Sequence, residues 1–150
     1  KEHKNFGIAD TGYFSGSTGL LTTAEDYARF MQLILNKGKI DGRKWLSATG
    51  VSYLSENQLP VHLNQNDMTD SLPELVNSGY SLGMAVKLLP GGTLSDKSTY
   101  KYLYWASESN TQFWIDPKLG LAAIFLTQHL PEKYFVAEKI HELAGEHLVD

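Results

Sequence analysis

Residues Tyr104 to Thr127 read YWASESNTQFWIDPKLGLAAIFLT, two apolar β-rich runs on either side of a turn, and this pairing commits the chain to a fold built around a hairpin. The turn is Asp116-Pro117-Lys118-Leu119-Gly120, where Pro117 presets φ and Gly120 can take the backbone conformation that closes the loop. Gln112 to Ile115 carries aromatic and β-branched residues, and Leu121 to Leu126 is an almost unbroken apolar run, as in a strand covered on both faces. Upstream, Trp105-Ala106-Ser107-Glu108 interrupts the apolar pattern with small and polar residues, which on a strand signals close approach by a ligand or another backbone. The same residues would also suit a sheet aromatic followed by a bulge.

Around this hairpin the chain reads as α+β, in the order helices, long polar loop, strands, helix. Thr22-x-x-Glu25 is a capping-box pattern, with Thr23 as an alternative cap. It opens a helix to about Asn36 with Tyr27, Phe30, Met31, Ile34 and Leu35 at helical spacing and Gly38 as its stop. Asp41-Gly42 turns the chain, and Ser47 caps a second helix to about Gln58, stopped by Pro60. Val61 to Ser78 has no periodicity and reads as a rim loop, its Asp67, Asp70 and Glu74 a solubilising run. Tyr80, Leu82, Met84, Val86 and Leu88 alternate with Ser81, Gly83, Ala85 and Lys87, predicting one half-buried strand that ends at Pro90-Gly91-Gly92. From Tyr134 to Val149 an apolar stripe of Val136, Ala137, Ile140, Leu143, Ala144 and Leu148 predicts a terminal amphipathic helix. The sheet is therefore expected to hold about three antiparallel strands.

With 150 residues the chain can bury one core, and its net charge of -4 gives no overall basic signature for nucleic acid or anionic membrane. It has no cysteine, which removes disulfides and thiolate chemistry. His141 and His147 are six apart, so they do not share a helix face as metal ligands at i and i+4 would; they are expected on a solvated face, and no metal site is expected. His129 follows the last strand and could reach the edge of a site.

Three blocks in order resemble one family. The third is Trp105, two small residues, Thr111-x-Phe113-Trp114-Ile115-Asp116-Pro117, then a Gly-Leu strand ending in Thr127-Gln128. The first runs from Ser15 to Phe30 and continues with Gly38-Lys39-Ile40-Asp41-Gly42 and Trp45-Leu46-Ser47; the second is Gly79 to Val86. Together they look like the C-terminal portion of the serine β-lactamase-like hydrolases, which include class C β-lactamases, carboxylesterases and D-peptidases related to penicillin-binding proteins.

The resemblance implies a partial β-lactamase/transpeptidase-like fold in which 1–60 is the helical part, 61–78 the rim loop and 79–150 the strands and terminal helix. It implies an acyl-enzyme mechanism on an ester, amide or β-lactam carbonyl, with no cofactor, in which the serine of a Ser-x-x-Lys motif attacks while that lysine and a Tyr-x-Asn tyrosine move protons. No Tyr-x-Asn occurs here, and the literal Ser98-Thr99-Tyr100-Lys101 precedes a strand instead of opening a capped helix. The nucleophile and base are thus expected upstream, in a longer parent chain that would be this chain's partner, and the piece alone is expected to be inactive.

By the same resemblance Trp105, Ala106 and Ser107 stand where the family has Lys-Thr-Gly, His-x-Gly or Trp-Gly-Gly and would bind substrate, and the backbone N–H of Glu108 would donate to the oxyanion. Two departures stand out: Ser107 adds a side chain where glycine lets substrate approach, and Glu108 brings a carboxylate beside a developing negative charge. Trp105 in place of a cation favours an esterase-like or peptidase-like parent, because no charge is there to hold a substrate carboxylate. Family members tend to be exported or periplasmic. Missing upstream strands would leave an open sheet edge prone to dimerisation or strand exchange. The rival readings are a stand-alone binding module with Tyr104, Trp105 and the rim loop as its surface, and part of a pseudoenzyme.

Overall fold

The computed structural model describes residues 20–60, 75, 77–107, 109–129 and 136–147. Helix α1, Ala24–Leu35, is capped by Thr23, whose Oγ1 accepts from Asp26 N at 3.1 Å. The cap is therefore the alternative, Thr23, whose hydroxyl also donates to Asp26 Oδ2 at 3.1 Å, and Met31 and Ile34 form the helix's buried face. The helix stops where Lys37 and Gly38 take positive φ and Gly38 N donates back to Leu33 O at 2.8 Å. Glycine is required at 38 twice over, because a Cβ there would lie 2.3 Å from Leu46 O.

A small hairpin follows, β1 Lys39–Ile40 and β2 Arg43–Lys44, turned by Asp41 and Gly42 with positive φ at both. Helix α2, Ala48–Ser55, is capped by Ser47 Oγ, which accepts from Gly50 N at 2.9 Å. It ends short of Gln58 because the next residues turn to the sheet: Asn57 Oδ1 accepts from Tyr80 N at 3.0 Å, and Gln58 N donates to Tyr80 O at 2.8 Å.

Among the described residues the main sheet has five antiparallel strands in sequence order: β3 Ser78–Tyr80, β4 Ala85–Leu88, β5 Tyr100–Ala106, β6 Gln112–Asp116 and β7 Leu121–Phe125. The segment read as a single strand from Tyr80 to Leu88 is a hairpin, Tyr80 pairing with Ala85. Ser81 makes the turn, its Oγ donating to Met84 O and accepting from Met84 N, while Gly83 sits at φ 132. Leu82 fits the alternation by type yet stands exposed at the tip. A bulge lies at the start of β5, where Leu88 pairs with Tyr100 and Lys87 with Tyr102, leaving Lys101 as the extra residue. The rim-loop acids Asp67, Asp70 and Glu74 lie outside the described residues; Leu75 is buried.

Helix α1 lies against β6 and β7 on one face, enclosing Met31, Ile34, Val51, Met84, Val86, Leu103, Phe113 and Ile115. Helix α3, Val136–His147, lies against the same two strands from the other side. Its rotation differs from the expected one. Ile140 and Leu143 are substantially exposed, and the residue facing inward is His141. The expectation of a solvated His141 is corrected: its Nε2 lies 2.8 Å from Asp116 Oδ2 among the rings of Tyr102 and Trp114, whereas His147 is exposed. A carboxylate buried at the strand end selects a polar residue on the covering helix.

Candidate functional site

Strand β5 ends in the residues singled out by sequence. Trp105 pairs with Phe113 and Ala106 with Gln112 in regular register, so no bulge interrupts them; the irregularity is at the opposite end of the strand. The Trp105 indole is half-buried against the core and meets the Tyr80 ring edge-on, with centroids 5.4 Å apart. Ser107 opens the β5–β6 turn: its N–H donates to Thr111 O at 2.9 Å, and its carbonyl accepts from Asn110 N at 2.8 Å. With its own amide committed to the turn, Ser107 has no free backbone donor to offer a ligand. Glu108, whose N–H is the expected oxyanion donor, lies outside the described residues.

What holds this turn is a set of polar side chains that sequence reasoning missed. Asn110 is 3 % exposed and sits at φ 60, a conformation that asparagine tolerates better than most residues. Its Oδ1 accepts from Gln112 Nε2 at 3.1 Å. Gln112 Oε1 in turn accepts from Ala137 N at 2.8 Å, tying the turn to the first residues of α3. The chain after β7 is fastened to the same place. Thr127 Oγ1 donates to the carbonyls of Ser109 and Asn110 at 2.9 and 3.1 Å, Thr111 Oγ1 donates to Thr127 O, and His129 N donates to Ser109 O at 3.2 Å. The exposed His129 is thereby brought beside the β5–β6 turn. The signal for this brace was a polar glutamine and two threonines at positions of an otherwise apolar hairpin.

Ser98 is not part of that place. It lies in a short 3-10 turn, Lys97–Thr99, that feeds the start of β5, and its hydroxyl donates to Asp96 Oδ1 at 2.7 Å. Those bonds from Ser98 hold the Asp96 carboxyl below its ordinary range. Strand β5 separates Ser98 from Ser107 by about 20 Å, from the extended rise per residue. Behind the sheet, burial pushes the Tyr102 phenol well above its ordinary range, with the carboxylates of Glu138, Glu142 and Asp116 adding to the effect. The phenol is therefore held neutral and serves as a packing surface for His141. Among the described residues no group of three or more histidines and carboxylates could hold a metal ion.

Comparison with known proteins gives a consistent assignment. Two curated Mycobacterium tuberculosis proteins, "Uncharacterized protein MT1414" of strain CDC 1551 and "Protein Rv1367c" of strain H37Rv, are each 25% identical to this chain over 127 residues. The matched region is 83% of this chain and 31% of each relative, so the chain spans under a third of the curated proteins it matches. The profile described as Beta-lactamase matches residues 2–146, and the chain belongs to that family.

Proposed function

We propose that this chain is the C-terminal part of a serine hydrolase that attacks an ester, amide or β-lactam carbonyl through an acyl-enzyme, and that it supplies the strand lining the site. The family match over residues 2–146 is the observation that carries the reading. In this proposal Trp105, Ala106 and Ser107 form the wall along which substrate lies, and the Glu108 N–H donates to the oxyanion. The attacking serine and its base come from the upstream part of the parent chain. The base takes the serine proton as the serine oxygen bonds to the carbonyl carbon; the C–O or C–N bond then breaks, that proton passes to the departing oxygen or nitrogen (which stays tethered when a β-lactam ring opens), and water then releases the acid.

The Trp105–Tyr80 aromatic contact supports an uncharged acyl group over one bearing a carboxylate. Strand β7 supports the fragment reading: among the described residues it pairs only with β6, so Leu121–Phe125 presents an edge to which an upstream strand, or a second copy by exchange, could add. The test is fluorophosphonate labelling of the full gene product, followed by peptide mapping and hydrolysis of a neutral aryl ester and a chromogenic β-lactam. The expected result is a labelled serine outside these 150 residues, unchanged by Ser98→Ala, with ester turnover. Labelling at Ser98 would overturn the assignment of the nucleophile. Neither labelling nor turnover would leave the pseudoenzyme reading, which the side chain of Ser107 and its committed amide favour.

A further inference from the structure

The β1–β2 hairpin concentrates charge in a way that the whole-chain balance conceals. Lys37, Lys39, Arg43 and Lys44 fall within eight residues, with Asp41 as the one carboxylate among them, in a chain whose net charge is -4. All four cations are exposed, and Asp41 to Trp45 is a continuous exposed run. None of the four takes part in an ion pair among the described residues. Lys39 and Lys44 are directly opposite in the ladder, an arrangement of like charges that costs stability and that a nearby anionic surface relieves. Beside them Trp45 is 64% exposed, with the Arg43 guanidinium 5.4 Å above its ring. An open groove lined by Leu35, Asn36, Lys37, Lys39, Asp41 and Gly42 runs along the hairpin.

We propose that this hairpin is a docking surface for an anionic phospholipid bilayer, which it meets with its cations against the headgroups and Trp45 at the interface. Charge complementarity favours this occupant, and the exposed indole decides between a lipid surface and a purely ionic polymer. An amphipathic ring is stabilised at headgroup depth, whereas a polyanion offers it only solvent. The overall negative charge opposes docking only weakly, because screening confines each charge to roughly 8–10 Å at physiological salt. This contact is peripheral and independent of the catalytic reading.

The test is co-sedimentation of the full gene product with vesicles of phosphatidylcholine alone and of phosphatidylcholine mixed with phosphatidylglycerol. Binding is expected only to the mixed vesicles, with loss at high salt. Lys39→Gln and Lys44→Gln should each weaken it by roughly fivefold, the value of one juxtamembrane cation. Lys139→Gln, an exposed lysine on α3, should leave it unchanged. A blue shift of tryptophan emission on binding should disappear in Trp45→Phe, which retains the cations. Equal binding to both vesicle types, or full binding by Lys39→Gln and Lys44→Gln, would overturn the proposal. Competition by polyglutamate as strong as by vesicles, with no Trp45-dependent blue shift, would overturn it too and assign the hairpin to an acidic protein.

Discussion

His141 and Asp116 show how much a single buried pair decides. Asp116 Oδ1 accepts from Lys118 N and Leu119 N at 2.9 and 3.0 Å, so it shapes the β6–β7 turn, while Oδ2 is satisfied by His141. His141→Ala leaves that oxygen unpartnered and opens a cavity against Tyr102 and Trp114, and should cost about 3 kcal/mol of unfolding free energy in denaturant titrations. Asp116→Asn keeps an acceptor for the turn and lets the imidazole change tautomer, so it should cost only about 1 kcal/mol. Equal losses from the two would mean that the pair adds nothing beyond packing. Glycine gives a second comparison. Gly38→Ala meets a carbonyl oxygen at 2.3 Å as well as an unfavourable φ of +90, whereas Gly42→Ala, at φ +74, meets nothing within 4 Å. The first should destabilise by about 3 kcal/mol and the second by about 1 kcal/mol, read from the shift in denaturation midpoint.

At the scale of elements, the caps were written locally and the end of α2 was not. Thr23 and Ser47 each accept a backbone N–H three residues on, so Thr23→Ala and Ser47→Ala should each cost about 1 kcal/mol. The end of α2 is held differently. Glu56 binds Lys97 of the 3-10 turn and accepts from Ser52 Oγ, and the bond from Lys97, then that from Ser52, holds its carboxyl below the ordinary 4.5. A carboxyl whose folded value is depressed contributes stability above its unfolded value and loses it as pH falls through the folded one. Glu56→Gln should therefore lower the unfolding free energy at neutral pH, by under about 1 kcal/mol for so exposed a pair, and the difference from the parent should vanish as pH falls below 4.5 and both carry a neutral side chain there.

For the molecule as a whole, helices cover both faces of the last two strands, yet β7 is half-buried throughout and its outer edge has no partner strand among the described residues. The chain by itself should form concentration-dependent dimers in light scattering. Leu126→Lys, which places a charge at an exposed position where β7 ends, should shift it towards monomer. A monomer at all concentrations would show that the edge is already blunted. The brace from Ser107 through Asn110 and Gln112 to Ala137 connects the candidate site to α3 behind the sheet, so the two faces are mechanically linked through β6.

The sequence determined what depends on neighbours along the chain. The start of α1 at Thr23, the stop at Gly38, the Asp116–Gly120 turn and the α+β order of elements all rest on caps, turn residues and periodicity within a few positions. The tertiary structure decided what depends on partners distant in sequence. Leu82 matches a strand by type but becomes a turn tip because Ser81 binds Met84, and His141 breaks an apolar helix stripe because Asp116 waits beneath it, 25 residues away in the chain. The Trp105–Ser107 stretch was conspicuous in sequence, but the residues that fix its shape, Asn110, Gln112 and Thr127, were not. A hydrogen bond between side chains on neighbouring strands leaves no period in the sequence, and only the register of the sheet brings its partners together.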